Sequence, residues 1–365
     1  MANSQVSIAV LVVGAGAWGT ALAIQLAARA KPGQVVLYAR DGEQARELQS
    51  SRCNQKYLPG IAFPGPLAVA HDLAQACGQW RRTAQEHERQ DPNAAIHGVI
   101  ILATPMAGLE QSSQTVFEIL GPSRSGEGMV WLSKGLSLNE TAHEGFEWPG
   151  QIVGRCCPGW PMGALSGPSF AQEVAAGLPA ALTLASASID WARAVAQSLH
   201  GGGLRVYVTE DLVGVELGGA MKNVLAIAAG VCDGLSLGAN ARAALLTRGL
   251  AEMSRLGRAL GAQPHTFMGL ATLGDLILTA TGDLSRNRRV GLGLAKGQTL
   301  DQVVRSLGHV AEGVPTAPAL LGLARKHGVD VPITESVCRL LRGELSPKEA
   351  IAILMSREPR DEQSL

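Results

Sequence analysis

Three glycines spaced G-x-G-x-x-G constrain the fold of this chain more than any other feature of its sequence. They lie in the segment GAGAWGTALA, between an apolar run at 8–13 and a stretch of small residues at helical spacing. A strand, a glycine turn and a helix in this order favour a dinucleotide-binding βαβ unit over a glycine-rich turn that holds no ligand. In such a unit Gly14 forms the tight turn, Gly16 admits the pyrophosphate and Gly19 lets the helix pack on the strand. We therefore expect a bound dinucleotide.

The residues at the end of the second apolar run indicate which dinucleotide, NAD or NADP, the protein prefers. About 20 residues beyond the glycines, an acidic residue favours NAD, whereas an arginine accommodates the 2′-phosphate of NADP. Both types are present, because the sequence there reads Tyr38-Ala39-Arg40-Asp41. Arg40 comes first, at the predicted end of the strand, so NADP is favoured. NAD stays open as the alternative, as does an Arg40 that is only an exposed charge.

Short apolar runs alternate with segments of helical length over the first 210 residues. This alternation is typical of a doubly wound sheet that is covered by helices. The runs that we predict as strands of a parallel sheet are residues 8–13, 35–39, 99–103, 129–133, 162–165, 181–185 and 204–208. The polar stretch at 79–93 is predicted to be a solvated helix or a loop insertion.

After residue 213 the pattern changes to alanine and leucine at helical spacing, which predicts helices. The final helix is predicted to begin at Ser346-Pro347-Lys348-Glu349, a capping-box sequence with proline at the first helical position. The predicted fold class is therefore α/β. A Rossmann-like doubly wound dinucleotide-binding domain at 1–210 is followed by an all-α substrate-binding domain at 211–365.

Charge and cysteine content argue against several classes of partner. Lys plus Arg and Asp plus Glu both number 31, so the chain offers no broad basic surface to nucleic acid or to an anionic membrane. The amino terminus has no basic segment before its short apolar run, and the six cysteines form no C-x-x-C pair. We expect a cytoplasmic protein with free thiols, no bound metal and no membrane insertion.

Two loops that follow predicted strands carry residues suited to ligand binding. In open parallel sheets, ligands bind beyond the carboxyl ends of the strands. Lys134 directly follows one strand, and Gly167-Pro168 follow another, where they would leave the amides of Ser169 and Phe170 free for a ligand oxygen. Each feature taken alone is also compatible with ordinary loop chemistry.

A lysine above two helical glycines is more informative. In the segment ELGGAMKN, the side chain of Lys222 leans back over Gly218 and Gly219. Each glycine costs the helix roughly 1 kcal/mol relative to alanine. A bare patch beneath a lysine and an asparagine suggests room for a small polar ligand. The alternative is close helix packing through the glycines, with Lys222 extending to water.

Two later segments place charged residues in notable helical positions. Asp275 shares one face with Thr279 if LGDLILT is helical, where it could orient a cation or cap the helix. Arg286, Arg288 and Arg289 lie in the first turn of a predicted helix, where the macrodipole favours negative charge. A bound anion resolves this conflict, and free amides together with Arg286 form a suitable phosphate site. Binding to a nucleic-acid backbone is the alternative, which the neutral net charge weakens.

These motifs occur together, in the same order, in one family of enzymes. The sequence closely resembles the bacterial-type NAD(P)-dependent glycerol-3-phosphate dehydrogenases over nearly its whole length. The matching segments are GAGAWGTALA, SKGL at 133, SGPSFAQEVAAGLPAA from 166, GGAMKNVLAIAAG from 218, GANARAALLTRGLAEMSRLG from 238, LGDLILTATG from 273, SRNRRVG from 285 and AEGVPTA from 311.

The resemblance implies a reaction, NAD(P)H-dependent reduction of dihydroxyacetone phosphate to sn-glycerol 3-phosphate and its reverse, which supplies phospholipid synthesis. Lys222 matches the catalytic proton donor and acceptor, and we group Asp275 with it. Substrate contacts are implied for Lys134, Gly167, Ser169, Lys222, Asp275, Ser285, Arg286 and Asn287, with Thr279 as a weaker candidate. The cofactor candidates are Gly14, Gly16, Ala17, Trp18, Gly19, Arg40, Lys134, Ala171, Arg286, Val310 and Glu312. The candidate partners are this small-molecule substrate and a second copy of the chain in a homodimer.

The proposed chemistry requires a lysine that exchanges a proton near neutral pH. We expect burial and Arg286 to lower the pKa of Lys222, and Asp275 to raise it. Two departures from the family pattern, Ala17 in place of a common serine and Ala311 in place of valine, bear on cofactor affinity more than on activity.

Two rival functions remain in view. The first is another Rossmann enzyme with a helical domain, such as a 6-phosphogluconate or ketopantoate reducer, but SRNRR and SGPSFA match the glycerol-3-phosphate family specifically. The second is a non-catalytic NADP-sensing module. Such a module has no reason to keep Lys222, Asp275 and Arg286 together.

Overall fold

The computed structural model describes residues 6–139, 142, 144–308 and 311–356. The chain divides into two units. Unit 1 comprises Met1–Ser133 and Pro149–Leu212, and unit 2 comprises Lys134–Trp148 and Val213–Leu365.

Strands and helices are numbered in chain order within the described residues. The strands are β1 (Ala9–Val13), β2 (Val35–Tyr38), β3 (Cys53–Asn54), β4 (Leu58–Ala62), β5 (Ala68–Ala70), β6 (Gly98–Leu102), β7 (Glu127–Trp131), β8 (Ser137–Leu138), β9 (Phe146–Glu147), β10 (Met162–Ser166), β11 (Ala180–Ala185) and β12 (Leu204–Thr209). The α-helices are α1 (Ala17–Ala27), α2 (Gly42–Ser51), α3 (Leu73–Gln90), α4 (Met106–Leu120), α5 (Pro149–Cys156), α6 (Ala171–Ala175), α7 (Ile189–Leu199), α8 (Leu212–Gly234), α9 (Gly238–Ala259), α10 (Asp275–Thr281), α11 (Arg286–Ala295), α12 (Leu300–Leu307), α13 (Gly313–Lys326), α14 (Pro332–Leu341) and α15 (Pro347–Met355).

Unit 1 contains an eight-stranded sheet with the order β12-β11-β10-β7-β6-β1-β2-β5. The pairs on both sides of β1 are parallel, with Val12 in register with Leu37 of β2 and Ile101 of β6. All residues of β1, β6 and β7 are buried, as expected of central strands with helices on both faces. Each of the seven predicted runs forms a strand, which confirms the doubly wound α/β class.

The sheet differs from the prediction at two places. Strand β5 has only three residues, all partly exposed, so it leaves no apolar run in the sequence. Strands β10 and β11 are antiparallel, and β12 is parallel to β11, so the last two strands oppose the rest of the sheet. The connection between β10 and β11 holds the five-residue helix α6.

The polar stretch at 79–93 is mostly helical, which is the first of the two predicted alternatives. It lies in α3, the helix between β5 and β6. Trp80 is 1% exposed, and its Nε1 donates to a carbonyl oxygen of β1 at 3.2 Å. Arg81 forms an ion pair with the buried Glu127 at 2.7 Å. The prediction of a solvated segment is wrong for this inner face, because one tryptophan among charged residues gives little periodic signal.

Unit 2 is helical within the described residues, apart from the hairpin of β8 and β9. Helix α8 lies at its centre, and every residue from 217 to 232 is buried. This helix is long and apolar enough to cross a membrane by length and composition alone, but 89% of its most apolar window is buried inside the protein. Burial of this extent is typical of a core helix in a folded domain. The predicted capping box of α15 is present, because Ser346 and Glu349 exchange side-chain to backbone hydrogen bonds.

Two interactions hold the helices of unit 2 at close range. The buried carboxylate of Glu252 in α9 accepts hydrogen bonds from the first-turn amides of Ile333, at 2.6 Å, and Thr334, at 3.3 Å, in α14. The backbones of helices α8 and α11 are in close contact at Gly230. A β-carbon at this position would collide with the carbonyl oxygen of Arg288. The glycine lowers helix propensity but permits this close approach.

The segment Lys134–Trp148 belongs to unit 2, although the predicted boundary between domains lies at 210/211. Leu136 is buried in the helical core of unit 2. Phe146 packs against Gly322 of α13, where a β-carbon would lie 2.6 Å from the ring Cζ. These apolar contacts draw the hairpin, and with it Lys134, into the helical unit. Strands of two residues leave no periodic pattern from which this could be predicted.

Candidate active site

The glycine turn of unit 1 has the geometry expected of a dinucleotide loop. Gly14 adopts a φ of +122°, and a β-carbon there would lie 2.8 Å from the carbonyl oxygen of Ala103. A β-carbon at Gly19 would collide with the carbonyl oxygen of Gly14. Gly16 differs, because no atom beyond its two chain neighbours lies within 4 Å of its β-carbon position. This open space, next to the first-turn amides of α1 that begin at Ala17, suits a pyrophosphate.

The two candidates for selecting the dinucleotide, Asp41 and Arg40, have different environments. Asp41 caps α2, and its Oδ1 accepts hydrogen bonds from the amides of Glu43, at 2.8 Å, and Gln44, at 3.1 Å. The Gln44 and Glu43 amides lower the pKa of this carboxyl group. Arg40 is exposed. The acidic side chain is therefore committed to a helix terminus, and the guanidinium group is in solvent.

The loop after β10 is shaped by a glycine that no other residue can replace without strain. Gly167 has a φ of +144°, and a β-carbon there would lie 2.8 Å from the carbonyl oxygen of Ala181. The hydroxyl of Ser169 donates to the Gly167 oxygen at 3.1 Å. Ala171 begins α6 and, like Trp18 of α1, packs partly buried against the core of unit 1. Ligand contacts by these residues stay a prediction.

The candidate catalytic residues of unit 2 form a buried ion cluster. Nζ of Lys222 donates to Asp275 Oδ1 at 2.8 Å and to Thr279 Oγ1 at 2.9 Å. Nζ of Lys134 donates to the other carboxylate oxygen, Asp275 Oδ2, at 2.6 Å. Asp275 is the first residue of α10, which follows a π-helical turn at Leu270–Gly274, and its side chain makes no capping bond. One carboxylate thus orients two ammonium groups, as the cation-orienting alternative requires.

The glycines beneath Lys222 are packed against protein. A β-carbon at Gly218 would collide with the side chain of Thr272, and one at Gly219 would lie 3.4 Å from Cγ of Lys134. The expectation of room for a ligand directly over these glycines is therefore wrong. The glycines bring Thr272 and Lys134 against α8, while Lys222 is 8% exposed and does not extend to water.

Burial and the three charges determine the proton affinity of the cluster. Burial lowers the pKa of Lys222 from its ordinary 10.5 to about 8; Asp275 opposes this change, and Lys134 and Arg286 add to it. Burial alone would raise the pKa of Asp275, but the adjacent ammonium groups of Lys134 and Lys222 hold it below its ordinary value. The carboxylate therefore stays ionised at neutral pH, beside a lysine that exchanges its proton near pH 8.

Asn287 is hydrogen-bonded to Asn223, the sequence neighbour of Lys222, which the resemblance did not single out. Its Nδ2 donates to Oδ1 of Asn223 at 2.8 Å, and its Oδ1 accepts from the amide of Gly313 at 3.0 Å. Asn223 in turn donates to the carbonyl oxygen of Gly219 at 3.2 Å. These bonds connect α8, α11 and α13. The signal for Asn223 was its position next to Lys222 in the sequence.

Arg286 and Arg288, in the first turn of α11, have different environments, which the sequence alone did not indicate. Ser285 is the N-cap, and its Oγ accepts from the amide of Arg288 at 3.2 Å. Arg288 forms ion pairs with Asp233, at 2.7 Å, and Asp283, at 2.8 Å. Arg286 is the first residue of the helix, and its side chain is exposed. Protein carboxylates thus neutralise Arg288, and Arg286 keeps an exposed guanidinium at the positive end of the helix.

The remaining predicted residues divide between the two units. Glu312 is the N-cap of α13 and interacts electrostatically with Arg286, whereas Val310 lies outside the described residues. Within the described ranges, no group of three or more His, Cys, Asp or Glu side chains could hold a metal ion. Unit 1 carries Gly14, Gly16, Ala17, Trp18, Gly19, Arg40, Gly167, Ser169 and Ala171. Unit 2 carries Lys134, Lys222, Asp275, Thr279, Ser285, Arg286, Asn287 and Glu312.

Comparison with known proteins identifies similar sequences and structures. Two family models match, described as the NAD-dependent glycerol-3-phosphate dehydrogenase N-terminus, at residues 8–82 and 86–192, and C-terminus, at residues 211–352. A glycerol-3-phosphate dehydrogenase (NAD(P)+) from an Acidovorax species is 51% identical over 97% of this chain and 99% of its own length. One from a Janthinobacterium species is 48% identical over 96% and 98%. The crystal structure of the glycerol-3-phosphate dehydrogenase from Coxiella burnetii superposes with a TM-score of 0.84 at 36% identity, over 96% of this chain and 99% of that chain.

Proposed function

The chain belongs to the NAD-dependent glycerol-3-phosphate dehydrogenase family, and we propose that it catalyses the reversible, NAD(P)H-dependent reduction of dihydroxyacetone phosphate to sn-glycerol 3-phosphate. The observation that carries this proposal is the buried cluster of Lys222, Asp275 and Lys134, in a chain 51% identical to a relative of that name. The product is the glycerol phosphate from which phospholipids are built, and we propose this supply as the role of the enzyme.

Lys222 is the proposed proton donor in the reduction and the proton acceptor in the reverse reaction. A dinucleotide held by the glycine turn would supply a hydride for the C2 carbon of the substrate. Negative charge then develops on the carbonyl oxygen, and the ammonium group of Lys222 stabilises that charge and gives the oxygen a proton. Asp275 and Thr279 accept two of the three ammonium hydrogens, so one remains for the substrate. With a pKa of about 8, Lys222 is largely protonated at neutral pH and still releases its proton readily.

Arg286 and the first turn of α11 are the proposed phosphate site. The guanidinium group of Arg286 is exposed at the helix N-terminus, where backbone amides and the macrodipole favour an anion. Ser285 uses only an acceptor site in its capping bond, so its hydroxyl hydrogen can also serve the phosphate. Holding the phosphate group fixes the position of the C2 carbonyl, which lowers the entropic part of the barrier.

The glycine turn of unit 1 fits a dinucleotide, because Gly16 leaves open space beside the amides of α1. Ala17, Trp18 and the other cofactor candidates of unit 1 would hold it there. We propose NADP as the preferred form, with NAD as the second substrate. Two observations support this preference: Asp41 is committed to capping α2, and Arg40 is exposed and able to receive a 2′-phosphate.

A spectrophotometric assay with each reduced cofactor tests the proposed reaction. We expect NADPH or NADH to be oxidised only when dihydroxyacetone phosphate is present. Lys222→Met should abolish turnover and leave NADPH affinity unchanged, whereas Lys326→Met, at an exposed lysine of α13, should behave as the wild type. A near-normal rate in Lys222→Met would contradict the assigned role. Arg40→Ala should reduce the preference for NADPH over NADH, and equal discrimination in both proteins would remove Arg40 from the cofactor site.

A substrate panel separates the rival functions. Faster turnover of a ketopantoate or of 6-phosphogluconate would favour a different dehydrogenase of the same fold. Tight NADPH binding without turnover of any substrate would favour a sensing module.

We further propose that the protein is cytoplasmic, acts without insertion into a membrane and assembles as a homodimer. All six cysteines are free thiols, which supports a reducing compartment. Cell fractionation tests the location, and light scattering after gel filtration tests the assembly. Recovery in the membrane fraction would contradict the first part, and a monomeric mass would contradict the second.

A further inference from the structure

Two side-chain amides converge on one carbonyl oxygen of the glycine turn. Nδ2 of Asn54 donates to the Ala15 oxygen at 3.0 Å, and Nε2 of Gln44 donates to the same oxygen at 3.1 Å. Neither residue belongs to the G-x-G-x-x-G motif or to the set of residues that the resemblance implied. We propose that Asn54 and Gln44 are positioning residues, which hold the turn in the conformation that binds the pyrophosphate. The inference rests on the proposed function, because it concerns the binding of that enzyme's cofactor.

The geometry of a single peptide group carries the argument. The carbonyl of Ala15 and the amide of Gly16 lie in one plane, and in a trans peptide they point in opposite directions. By holding the Ala15 oxygen, Asn54 and Gln44 therefore direct the Gly16 N–H to the side away from themselves. Gly16 is the glycine of the motif at which the protein leaves open space. The amide is thus oriented before a ligand binds, which reduces the entropic cost of binding.

Asn54 is itself held from several directions. Its side chain is 1% exposed, and its Nδ2 also donates to Oγ1 of Thr20, in α1, at 2.8 Å. Its Oδ1 accepts from the amide of Tyr57 at 3.3 Å. These partners require the nitrogen of the carboxamide to face the turn, because the Ala15 oxygen can only accept a hydrogen bond. Asn54 therefore connects the turn to the helix that follows it.

The chain reaches this position through a residue with an unfavourable backbone conformation. Arg52 ends α2 with a φ of +52°, a left-handed conformation that costs a residue with a side chain roughly 1–2 kcal/mol. Its guanidinium group donates to the carbonyl oxygens of Leu67, at 2.9 Å, and Pro64, at 2.7 Å, which offsets that cost. Asn54 follows two residues later, in β3, and its approach to the turn is therefore fixed by the fold.

A positioning role and a purely structural role differ in what they change. If Asn54 and Gln44 served stability alone, their loss would lower the free energy of unfolding and leave the affinity of the folded protein for NADPH unchanged. If they orient the Gly16 amide, their loss raises the dissociation constant for NADPH. The KM for dihydroxyacetone phosphate at saturating NADPH would then stay nearly constant, because unit 2 carries the candidate phosphate site.

Gln44→Met is the variant that perturbs the fold least. Gln44 is half-buried in α2, and methionine keeps its length and helix propensity while removing the donor to Ala15. Gln49→Met is the matched control, because Gln49 lies on the same helix and donates to the carbonyl oxygen of Val69, at 2.9 Å, outside the turn. The loss of one such bond should raise the NADPH dissociation constant about fivefold in Gln44→Met. The control should bind as the wild type does.

Asn54→Leu and Thr20→Val complete the series. Asn54→Leu removes the second donor without adding charge, and should raise the dissociation constant about tenfold or more. Thr20→Val removes the other partner of Asn54 but leaves its bond to Ala15, so NADPH affinity should change little. If Asn54→Leu fails to fold, the comparison of Gln44→Met with Gln49→Met still decides the matter.

Isothermal titration calorimetry of the full-length protein with NADPH gives the deciding measurement. Weaker binding in Gln44→Met than in Gln49→Met, with the KM for dihydroxyacetone phosphate within about twofold of wild type, supports the inference. Equal affinity in these two variants overturns it, whether both match the wild type or both are weakened. If an active wild type accompanies that equality, the proposed reaction stands and only the positioning role falls. A wild type that binds neither NADPH nor NADH overturns both.

Discussion

The pH dependence of the reduction tests the ion cluster of unit 2 most directly. Burial lowers the pKa of Lys222 to about 8, against the opposing charge of Asp275 and with the help of Lys134. In the proposed mechanism the ammonium form of Lys222 donates the proton, so kcat/KM for dihydroxyacetone phosphate should be level near neutral pH and should fall tenfold per pH unit well above that pKa. The reverse reaction requires the free amine, and its kcat/KM should rise over the same range.

Two substitutions should move this break in opposite directions. Lys134→Met removes a positive charge that is bound to the same carboxylate as Lys222, so the pKa of Lys222 should rise. Asp275→Asn removes the negative charge and should lower it. At about 5 Å and an effective dielectric constant of about 20, one unit charge is worth about 3 kcal/mol. After allowance for solvent near the partly exposed Lys134, each shift should be roughly one to two pKa units.

Initial rates at saturating NADPH, measured from about pH 6 to about pH 10 at constant ionic strength, give the three profiles. Both variants will also lose activity, because Lys134 and Asp275 are substrate candidates, so the position of the break is the readout and not its height. Lys326→Met serves as the control for loss of a surface lysine. A break at the same pH in all the proteins, or shifts of the same sign in both variants, would refute the assignment of the break to Lys222.

Three other predictions rest on single contacts. Arg286→Gln should raise the KM for dihydroxyacetone phosphate roughly 30-fold and affect unphosphorylated dihydroxyacetone much less, and equal effects on both ketones would contradict the phosphate site. Gly230→Ala forces a methyl group against the Arg288 carbonyl and should lower the free energy of unfolding by about 1–3 kcal/mol. Gly42→Ala is the control, because the added methyl group meets no neighbouring side chain or strand within 4 Å and should not destabilise the protein. Equal midpoints of urea unfolding for Gly230→Ala and Gly42→Ala would exclude the clash with Arg288. Burial raises the pKa of Glu252 from 4.5 to about 7, so the folded state binds this proton more tightly than the unfolded state. The stability that this proton contributes is full below pH 4.5, and roughly 3 kcal/mol of it should be lost as the pH rises to about 7. In Glu252→Gln this loss should be absent from urea titrations, and an unchanged slope would contradict the reasoning.

The parts of the fold that were predictable are those with a strong local pattern. The central strands β1, β6 and β7 are buried throughout, and a short continuous apolar run is the signal of such a strand. The run at 204–208 at the edge of the sheet has a weaker pattern, because Arg205 and Tyr207 are exposed. Strand β5 and the hairpin of β8 and β9 have three or two residues each and carry no such pattern. Their positions depend on tertiary contacts, such as Phe146 against Gly322, that no window of sequence contains.

The candidate site shows the same division between local and distant information. Lys222, Asp275 and Arg286 could be identified as candidates from residues close to them in the sequence. Two glycines precede Lys222, Thr279 shares a helix face with Asp275, and Arg286 lies at a predicted helix N-terminus. The bond from Lys134 to Asp275 joins residues 141 positions apart, so the shared carboxylate could not be foreseen. The bond from Asn54 to Ala15 spans 39 positions, and a lone asparagine outside any motif gives no signal.

Hydrogen-bond accounting then distinguishes residues that a motif leaves equivalent. Buried and partly buried polar groups are nearly always paired, so a group already paired within the protein has less capacity for a ligand. In the first turn of α11, Arg288 is paired with two carboxylates, whereas Arg286 is exposed and interacts electrostatically with one carboxylate, that of Glu312. In unit 1, the carboxylate of Asp41 accepts two backbone amides, whereas Arg40 is exposed. In both places one charged residue is held by partners within the protein, and the neighbouring arginine, which is exposed, is the one that we propose for phosphate recognition.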